Sequence, residues 1–308
     1  MSILRKRLPL ALLSLLSILV LSCRSERTRF AISSGADSGP SERSTEQLTL
    51  NRQNAGSLEV STPNGDIHVL PGDGEKIEIQ ATKEVHADSV EAAKAFLKQI
   101  KIVTQQENGR WIVKADWPQP TPDNVHSVSV SLEVHAPASM HLTAQSENGS
   151  LNASGMADAH LQTENGSIQA DHISGVLDAH SSNGSIETED CADVPQAETQ
   201  NGQITLRGVQ HLGSVKTENG SITIEMAQKQ DTAPVEITSD NGTIHLHLPA
   251  NASAHLDAGV MMGSIDMQPS TSAHFTNEAH TQMTADLGSG KGTVRLHTNM
   301  GSIDIHAE

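Results

Sequence analysis

SENGSLNA (146–153), TENGSIQA (163–170), SSNGSIET (181–188), TQNGQITL (199–206), TENGSITI (217–224) and SDNGTIHL (239–246) follow one another along a single stretch of the chain. Their Asn-Gly pairs, Asn148-Gly149, Asn165-Gly166, Asn183-Gly184, Asn201-Gly202, Asn219-Gly220 and Asn241-Gly242, are spaced by 17, 18, 18, 18 and 22 residues. Self-similarity at a short period marks a chain that stacks one structural unit many times. The slots within the unit are chemically constant. Ser or Thr stands two before the Asn, a small polar residue (usually Ser) follows the Gly, and Leu or Ile comes next. A weaker motif fills the other half-period, as ADAHLQT (157–163), VLDAHSS (176–182), VPQAETQ (194–200) and LGSVKTE (212–218).

After each Gly the residues alternate. Ile168/Ala170, Ile186/Thr188, Ile204/Leu206, Ile222/Ile224 and Ile244/Leu246 fall on one face, while Gln169, Glu187, Thr205, Thr223 and His245 point the other way. This is the period-2 signature of a half-buried strand. Asn and Gly adopt positive φ most readily, so each pair reads as a sharp corner. Two all-β architectures fit. In a parallel β-solenoid the repeats stack about 4.8 Å apart and the Ile slots form an internal column. In an antiparallel meander each Asn-Gly is a two-residue hairpin turn, pairing Thr163 with Ile168 and Leu161 with Ala170. Identical slots recurring in register favour the solenoid, since stacking places like above like; the meander stands as the alternative.

Outward from the repeat, residues 1–23 read as a targeting segment. Arg5, Lys6 and Arg7 precede an apolar run from Leu8 to Leu21 that is short for a membrane span. It ends in Val20-Leu21-Ser22-Cys23, which resembles a bacterial lipoprotein signal with Cys23 as the lipidated residue. Acyl chains on Cys23 would tie the protein to a membrane, more than one being needed for stable anchoring. By the same resemblance, Arg24 after the Cys permits delivery to the outer membrane. Residues 24–46, rich in Ser, Gly, Arg and Glu, read as a flexible tether.

Strands are expected from residue 47, with an early copy of the motif at Thr62-Pro63-Asn64-Gly65-Asp66-Ile67. One segment breaks the β pattern. Asp88-Ser89-Val90-Glu91 reads as a helix start, and Val90, Ala93, Phe96, Leu97 and Ile100 follow at helical spacing. A helix over 88–100 is expected to cover an open end or flank of the sheet, where exposed strand edges invite aggregation. The strand-rich N-terminal part, 47–145, runs continuously into the repeat part, 146–308. Near the C-terminus GVMMGSIDM (259–267) and NMGSIDIHA (299–307) echo the motif with Met262 and Met300 in the Asn slot.

Composition narrows function. Aromatic residues make up 2% of the chain and Tyr is absent, which disfavours a conventional globular core but not small aliphatic layers. A net charge of −17 spread along the chain lacks the basic footprint that nucleic acid requires. If Cys23 is acylated, Cys191 stands alone and reads as a structural small residue. Glu147, Glu164, Glu218 and Asp240 share the slot before Asn-Gly, interrupted by Ser182 and Gln200, with Arg207 and Lys216 the few cations near that column. Paired carboxylates serve glycoside hydrolysis, but without aromatic contacts the column reads as solvated corner polarity. His245 and His247 project from one strand face, with His297 and His306 in the terminal coils, and no compact metal-ligand spacing accompanies them. No nucleotide, hydrolase or cofactor signature is present.

The lipoprotein-type start, the lead-in with one helix and the reiterated Thr-x-Asn-Gly-Ser-Ile corners resemble the bacterial putative-adhesin domain family, a domain of unknown function, over about residues 50–305. The resemblance implies a β-solenoid and brings no catalytic residues. The expected function is therefore that of a non-enzymatic, envelope-anchored lipoprotein that interacts with surface glycans or envelope proteins. A polysaccharide-cleaving enzyme working through the stacked carboxylates is the alternative, and an envelope-stress regulatory or scaffolding lipoprotein a second. The Asn-Gly pairs, including Asn64-Gly65, are assigned as structural corners.

Overall fold

Each Asn-Gly corner ends one strand and starts another in a facing sheet. A computed structural model describes residues 39–227, 234–268 and 273–307. The signal segment, Cys23 and most of the expected tether lie outside the described residues. The lead-in holds β1 (Ser41–Asn51), β2 (Ser57–Asn64), β3 (Ile67–Gly72), β4 (Lys76–Ala87), helix α1 (Val90–Leu97), β5 (Lys101–Glu107), β6 (Arg110–Asp116) and β7 (Val125–Pro137).

The repeat then supplies strand pairs, a longer strand before each corner and a shorter one after it. These are β8 (His141–Asn148) and β9 (Leu151–Ser154), β10 (Asp158–Asn165) and β11 (Ile168–Asp171), and β12 (Val176–Asn183) and β13 (Ile186–Glu189). They continue with β14 (Asp193–Asn201) and β15 (Ile204–Val209), β16 (His211–Asn219) and β17 (Ile222–Met226), and β18 (Val235–Asn241) and β19 (Ile244–Leu248). Last come β20 (Ala254–Met262), β21 (Ile265–Gln268), β22 (Ala273–Glu278), β23 (Gln282–Leu287), β24 (Thr293–Met300) and β25 (Ile303–Ala307).

Among the described residues the strands form two long sheets. The first runs β1-β4-β7-β3-β9-β11-β13-β15-β17-β19-β25-β21, the second β22-β23-β20-β24-β18-β16-β14-β12-β10-β8-β2-β6-β5. The repeat strands pair in parallel. Asn165 lies opposite both Asn148 and Asn183, and Ile168 opposite both Leu151 and Ile186. The expected solenoid is thus the fold, and the meander is excluded: Thr163 pairs with Ser146 and Ser181, not with Ile168.

Alternation sends one face of each sheet inward. Leu151, Ile168, Ile186, Ile204, Ile222, Ile244 and Ile303 form one buried column in the first sheet. Leu142, Ala159, Leu177, Val194, Leu212, Val235 and Val294 form its counterpart in the second. Each fully buried aliphatic side chain contributes about 1.5–3 kcal/mol relative to exposure, so a core without large aromatics is sufficient. Trp111 and Trp117 are buried only in the lead-in, Trp111 donating through Nε1 to the Asn51 carbonyl at 3.1 Å.

At both ends the spatial order of coils departs from chain order. The first motif coil, β2/β3, sits between β6/β7 and β8/β9. The last coil, β24/β25, sits between β18/β19 and β20/β21. The chain's final strand pair is therefore held on two sides, and the hairpin β22–β23 closes that end of the second sheet by antiparallel pairing to β20. Local sequence could not reveal this, because every coil carries nearly the same slots.

Two boundaries differ from expectation. The expected tether ends earlier, since residues 41–46 belong to β1, antiparallel to β4 from Ser41↔His86 onward. Alternation there is weak because one side of this edge strand is solvated. The helix is shorter than 88–100, spanning Val90–Leu97, and its cap is Ser89, whose Oγ accepts from the Ala92 N–H at 3.1 Å. It buries Ala93 and Phe96 and packs on β4, β1 and β7, the strands that extend the first sheet past the motif coils.

Candidate functional site

The corner explains why the motif is spelled as it is. The Ser or Thr side chain turns inward and donates to the carbonyl of the Gly in the spatially preceding coil. Thr163 Oγ1 reaches Gly149 O at 2.9 Å, Ser181 Oγ reaches Gly166 O at 2.9 Å, Thr199 reaches Gly184 O at 2.9 Å, and Thr217 reaches Gly202 O at 3.0 Å. The contact satisfies a buried hydroxyl and an otherwise solvent-shielded carbonyl together.

The Asn side chains form a ladder along the stack. Asn148 donates Nδ2–H to Asn64 Oδ1 (2.7 Å), Asn165 to Asn148 (3.0 Å) and Asn183 to Asn165 (3.0 Å). Asn201, Asn219 and Asn241 continue it, each to the preceding Asn at 2.9 Å. The ladder stops at Asn241, because the next two coils place Met300 and Met262 in that register.

Glycine is required for a reason other than the positive φ expected from sequence. Of the seven motif glycines only Gly65 has it (φ 128°). At Gly149, Gly166, Gly184, Gly202, Gly220 and Gly242 a Cβ would instead lie 1.9–2.2 Å from the carbonyl oxygen of the preceding motif glycine. Close stacking of backbones, not turn handedness, excludes every other residue. None of the motif Asn residues has positive φ.

The corner side chains are engaged in bonds between coils, so chemistry has to be sought on the outward faces. The second sheet carries a polar row three residues before each motif Asn. Lys114, Ser61, Gln145, Gln162, His180, Glu198, Lys216 and Thr238 stand in register across consecutive strands. Beside it runs the slot immediately before the Asn, with Pro63, Glu147, Glu164, Ser182, Gln200, Glu218 and Asp240. Two shallow depressions lie along these rows. One, of about 430 Å³, is lined by Ser61, Pro63, Lys114, Gln145, Glu147, Gln162 and Glu164. The other, of about 370 Å³, shares Gln162 and Glu164 and continues past His180 and Glu198 to Lys216 and Glu218. Together they make a trough along the stacking direction.

Sequence reasoning singled out the carboxylate slot but missed the row beside it. The signal was present in the weaker half-motif, at the fixed position three before Asn, but its changing side chains hid the periodicity. The expected carboxylate column is in place, with one correction: Arg207 is not near it. Arg207 lies on the first sheet, paired with Glu187 at 2.8 Å, because it follows the corner instead of preceding it. Glu147 and Glu164 are both exposed and occupy adjacent coils, Glu147 beside Pro63 and Lys114 and Glu164 reaching on to His180 and Ser182.

The histidines divide between the sheets. His245 Nδ1 lies 3.1 Å from Asp304 Oδ2, and the rings of His247 and His306 stack at 4.9 Å with 9° between their planes. His297 is on the other sheet, against Asn299 at 3.2 Å. Among the described residues no group of three or more His, Cys, Asp or Glu side chains is arranged to hold a metal ion. Cys191 is fully buried at the second corner of its coil, its carbonyl accepting from the Gln210 N–H of the next coil at 3.3 Å, and its Sγ–H points to Ala170 O at 3.4 Å. Burial, with the nearby Asp171 and Asp190 carboxylates, pushes its pKa up to about 11, against a hydrogen bond from Ile173 that acts the other way. It fills space as a small hydrophobe.

Fold and surface together define a two-sheet parallel β-solenoid with a polar trough on one sheet. The chain belongs to the Toastrack DUF4097 family, whose model matches residues 55–306. Among solved structures it is similar to a putative adhesin from Parabacteroides distasonis, at 13% identity over 87% of this chain and 97% of that one, with a TM-score of 0.48. It is also similar to a putative adhesin from Bacteroides fragilis, at 12% identity over 86% and 97%, with a TM-score of 0.42. No curated protein matches the sequence.

Proposed function

We propose that this chain is a non-enzymatic recognition module of the bacterial envelope, tethered by lipid on Cys23, that binds a linear glycan along the trough of the second sheet. The observation that carries this reading is the row of hydroxyl, amide and charged groups repeated once per coil from Lys114 to Lys216. A linear polymer of polar units can meet such a row at successive strands, about 4.8 Å apart. Acids at Glu147, Glu164, Glu198 and Glu218, within a chain of net charge −17, favour uncharged or basic polymers over acidic ones.

The test uses the chain from Arg24 onward, screened against envelope polysaccharides for binding and for product release. Saturable binding that weakens when Gln145 and Gln162 are changed to Ala, with no product formed, supports the proposal. Product release abolished by Glu147→Gln or Glu164→Gln would replace it with the enzymatic reading. Capture of an envelope protein through the same residues, without glycan binding, would shift the ligand class. Fatty-acid labelling in a bacterial host tests the anchor: label should be incorporated by the full chain and lost in Cys23→Ser.

A further inference from the structure

The chain contains eight Asn-Gly pairs, and the structure treats one of them differently. Seven are the stacked corners. There each Gly N–H is committed to the next coil: Gly65 donates to Asn148 O (2.8 Å), Gly149 to Asn165 O (3.0 Å) and Gly166 to Asn183 O (3.1 Å). Gly184, Gly202 and Gly220 repeat this at 3.0 Å with Asn201, Asn219 and Asn241, and Gly242 donates to Met300 O at 2.9 Å. Their Asn side chains are committed as well, locked in the amide ladder.

The eighth pair, Asn108-Gly109, is a two-residue hairpin turn between β5 and β6, closed by the Glu107↔Arg110 pair. Both residues are exposed, both have positive φ (50° and 78°), and Asn108 lies outside the ladder. This is the only one of the eight that meets the ordinary hairpin expectation for Asn-Gly.

We propose that Asn108 is the one Asn-Gly site of the folded protein that undergoes spontaneous deamidation, while the seven corner sites are protected by the stack. In the reaction the Gly109 backbone nitrogen attacks the Asn108 side-chain carbon. A new C–N bond forms, the Cγ–Nδ2 bond breaks, and ammonia leaves with the proton from the Gly109 N–H. Water then opens the cyclic imide at either carbonyl, giving aspartate or isoaspartate at 108. At the corners the attacking N–H is hydrogen-bonded to another coil and the amide under attack is held by its neighbours. Reaction there requires opening the stack, so the rate falls in proportion to the small population that is open.

The product has a structural consequence. Isoaspartate adds a backbone atom to a two-residue turn, and either product adds a negative charge beside Glu107. The turn abuts the first motif coil, since Gly109 O accepts from the Gly56 N–H at 2.9 Å. Position 108 thus gains charge at the tip of the β5–β6 hairpin, which forms one end of the second sheet.

The test is incubation of the full chain in mildly alkaline buffer, folded or in denaturant, followed by peptide mapping for conversion of amide to acid. In the folded protein conversion is expected at Asn108 and at least about tenfold slower at every corner Asn, the protection following from stack opening. In denaturant all eight sites should convert at comparable rates. Conversion at any corner Asn matching that at Asn108 in the folded protein would overturn the proposal. So would an intact Asn108 over a period in which the denatured chain reacts.

Discussion

Replacing Gly184 by Ala is the sharpest perturbation the corner allows. The added Cβ would stand 2.0 Å from Gly166 O, 2.4 Å from Gly166 C and 3.0 Å from Ser167 N, all backbone atoms with no side chain to swing aside. Ordinary contact begins near 3.4 Å, so the two coils must separate locally by more than an ångström. Among the bonds that join the two coils, four lie closest to the added Cβ: Gly166 N–H to Asn183 O (3.1 Å), Ile168 N–H to Ser185 O (2.9 Å), Ser181 Oγ to Gly166 O (2.9 Å) and Asn183 Nδ2 to Asn165 Oδ1 (3.0 Å). At about 0.5–1.5 kcal/mol net for each, their loss costs about 2–6 kcal/mol. That is a large part of a typical folding free energy of about 5–15 kcal/mol. Gly56→Ala is the control, because a Cβ there meets nothing within 4 Å; its effect should stay within about 1 kcal/mol. Urea unfolding, with hydrogen exchange at the amides of 166 and 168, measures both. Equal stability of the two variants would refute the close-approach explanation of the motif glycine.

Other predictions follow from single features. Thr188 is fully buried between Ala170 and Leu206, with its Oγ1 lacking a hydrogen-bond partner; Thr188→Val should stabilise by roughly 1–2 kcal/mol in urea melts, by removing an unsatisfied hydroxyl. The Cys191 thiol should resist labelling by thiol reagents in the folded protein and react promptly in denaturant. Its folded pKa, about 11, lies above the ordinary 9.0. The unfolded thiol therefore ionises first, and its contribution to stability is full below pH 9 and declines as pH rises toward 11. A chain ending at Gly292 should lose order in 254–287 as well as in the missing coil, because β24 and β25 join β20 and β21 to the rest of the stack. Limited proteolysis would report this, and persistent resistance of 254–287 would count against the inserted-coil topology.

Much of the architecture was legible because stacking imposes its chemistry on one position at a time. Repetition of Ser/Thr-x-Asn-Gly-x-Ile favoured parallel, in-register coils over a hairpin meander, which only the strand register excluded, and the Ile-x-Ala alternation specified the buried face. The role of glycine was misread, since one-dimensional sequence shows turn propensity but not which backbone lies 2 Å from an absent Cβ. The coil order at either end was not legible either. Met262 and Met300 signal departure from the Asn ladder, yet nothing local says that 293–307 inserts before 254–268 in space. The trough emerged only when register aligned Gln145, Gln162, His180 and Glu198. Its side chains vary because outward positions carry no packing constraint.

Paired cysteines on outward positions test the parallel stacking most directly. Gln169 and Glu187 are register neighbours in the first sheet, at a strand spacing within disulfide reach of about 4.4–6.8 Å between Cα atoms. In a hairpin meander Gln169 would instead face Gln162, which the solenoid places on the opposite sheet. Under mild oxidation Gln169→Cys/Glu187→Cys should close a disulfide within one chain while Gln162→Cys/Gln169→Cys stays reduced. The reverse result would contradict the parallel stack from which every corner and trough assignment follows.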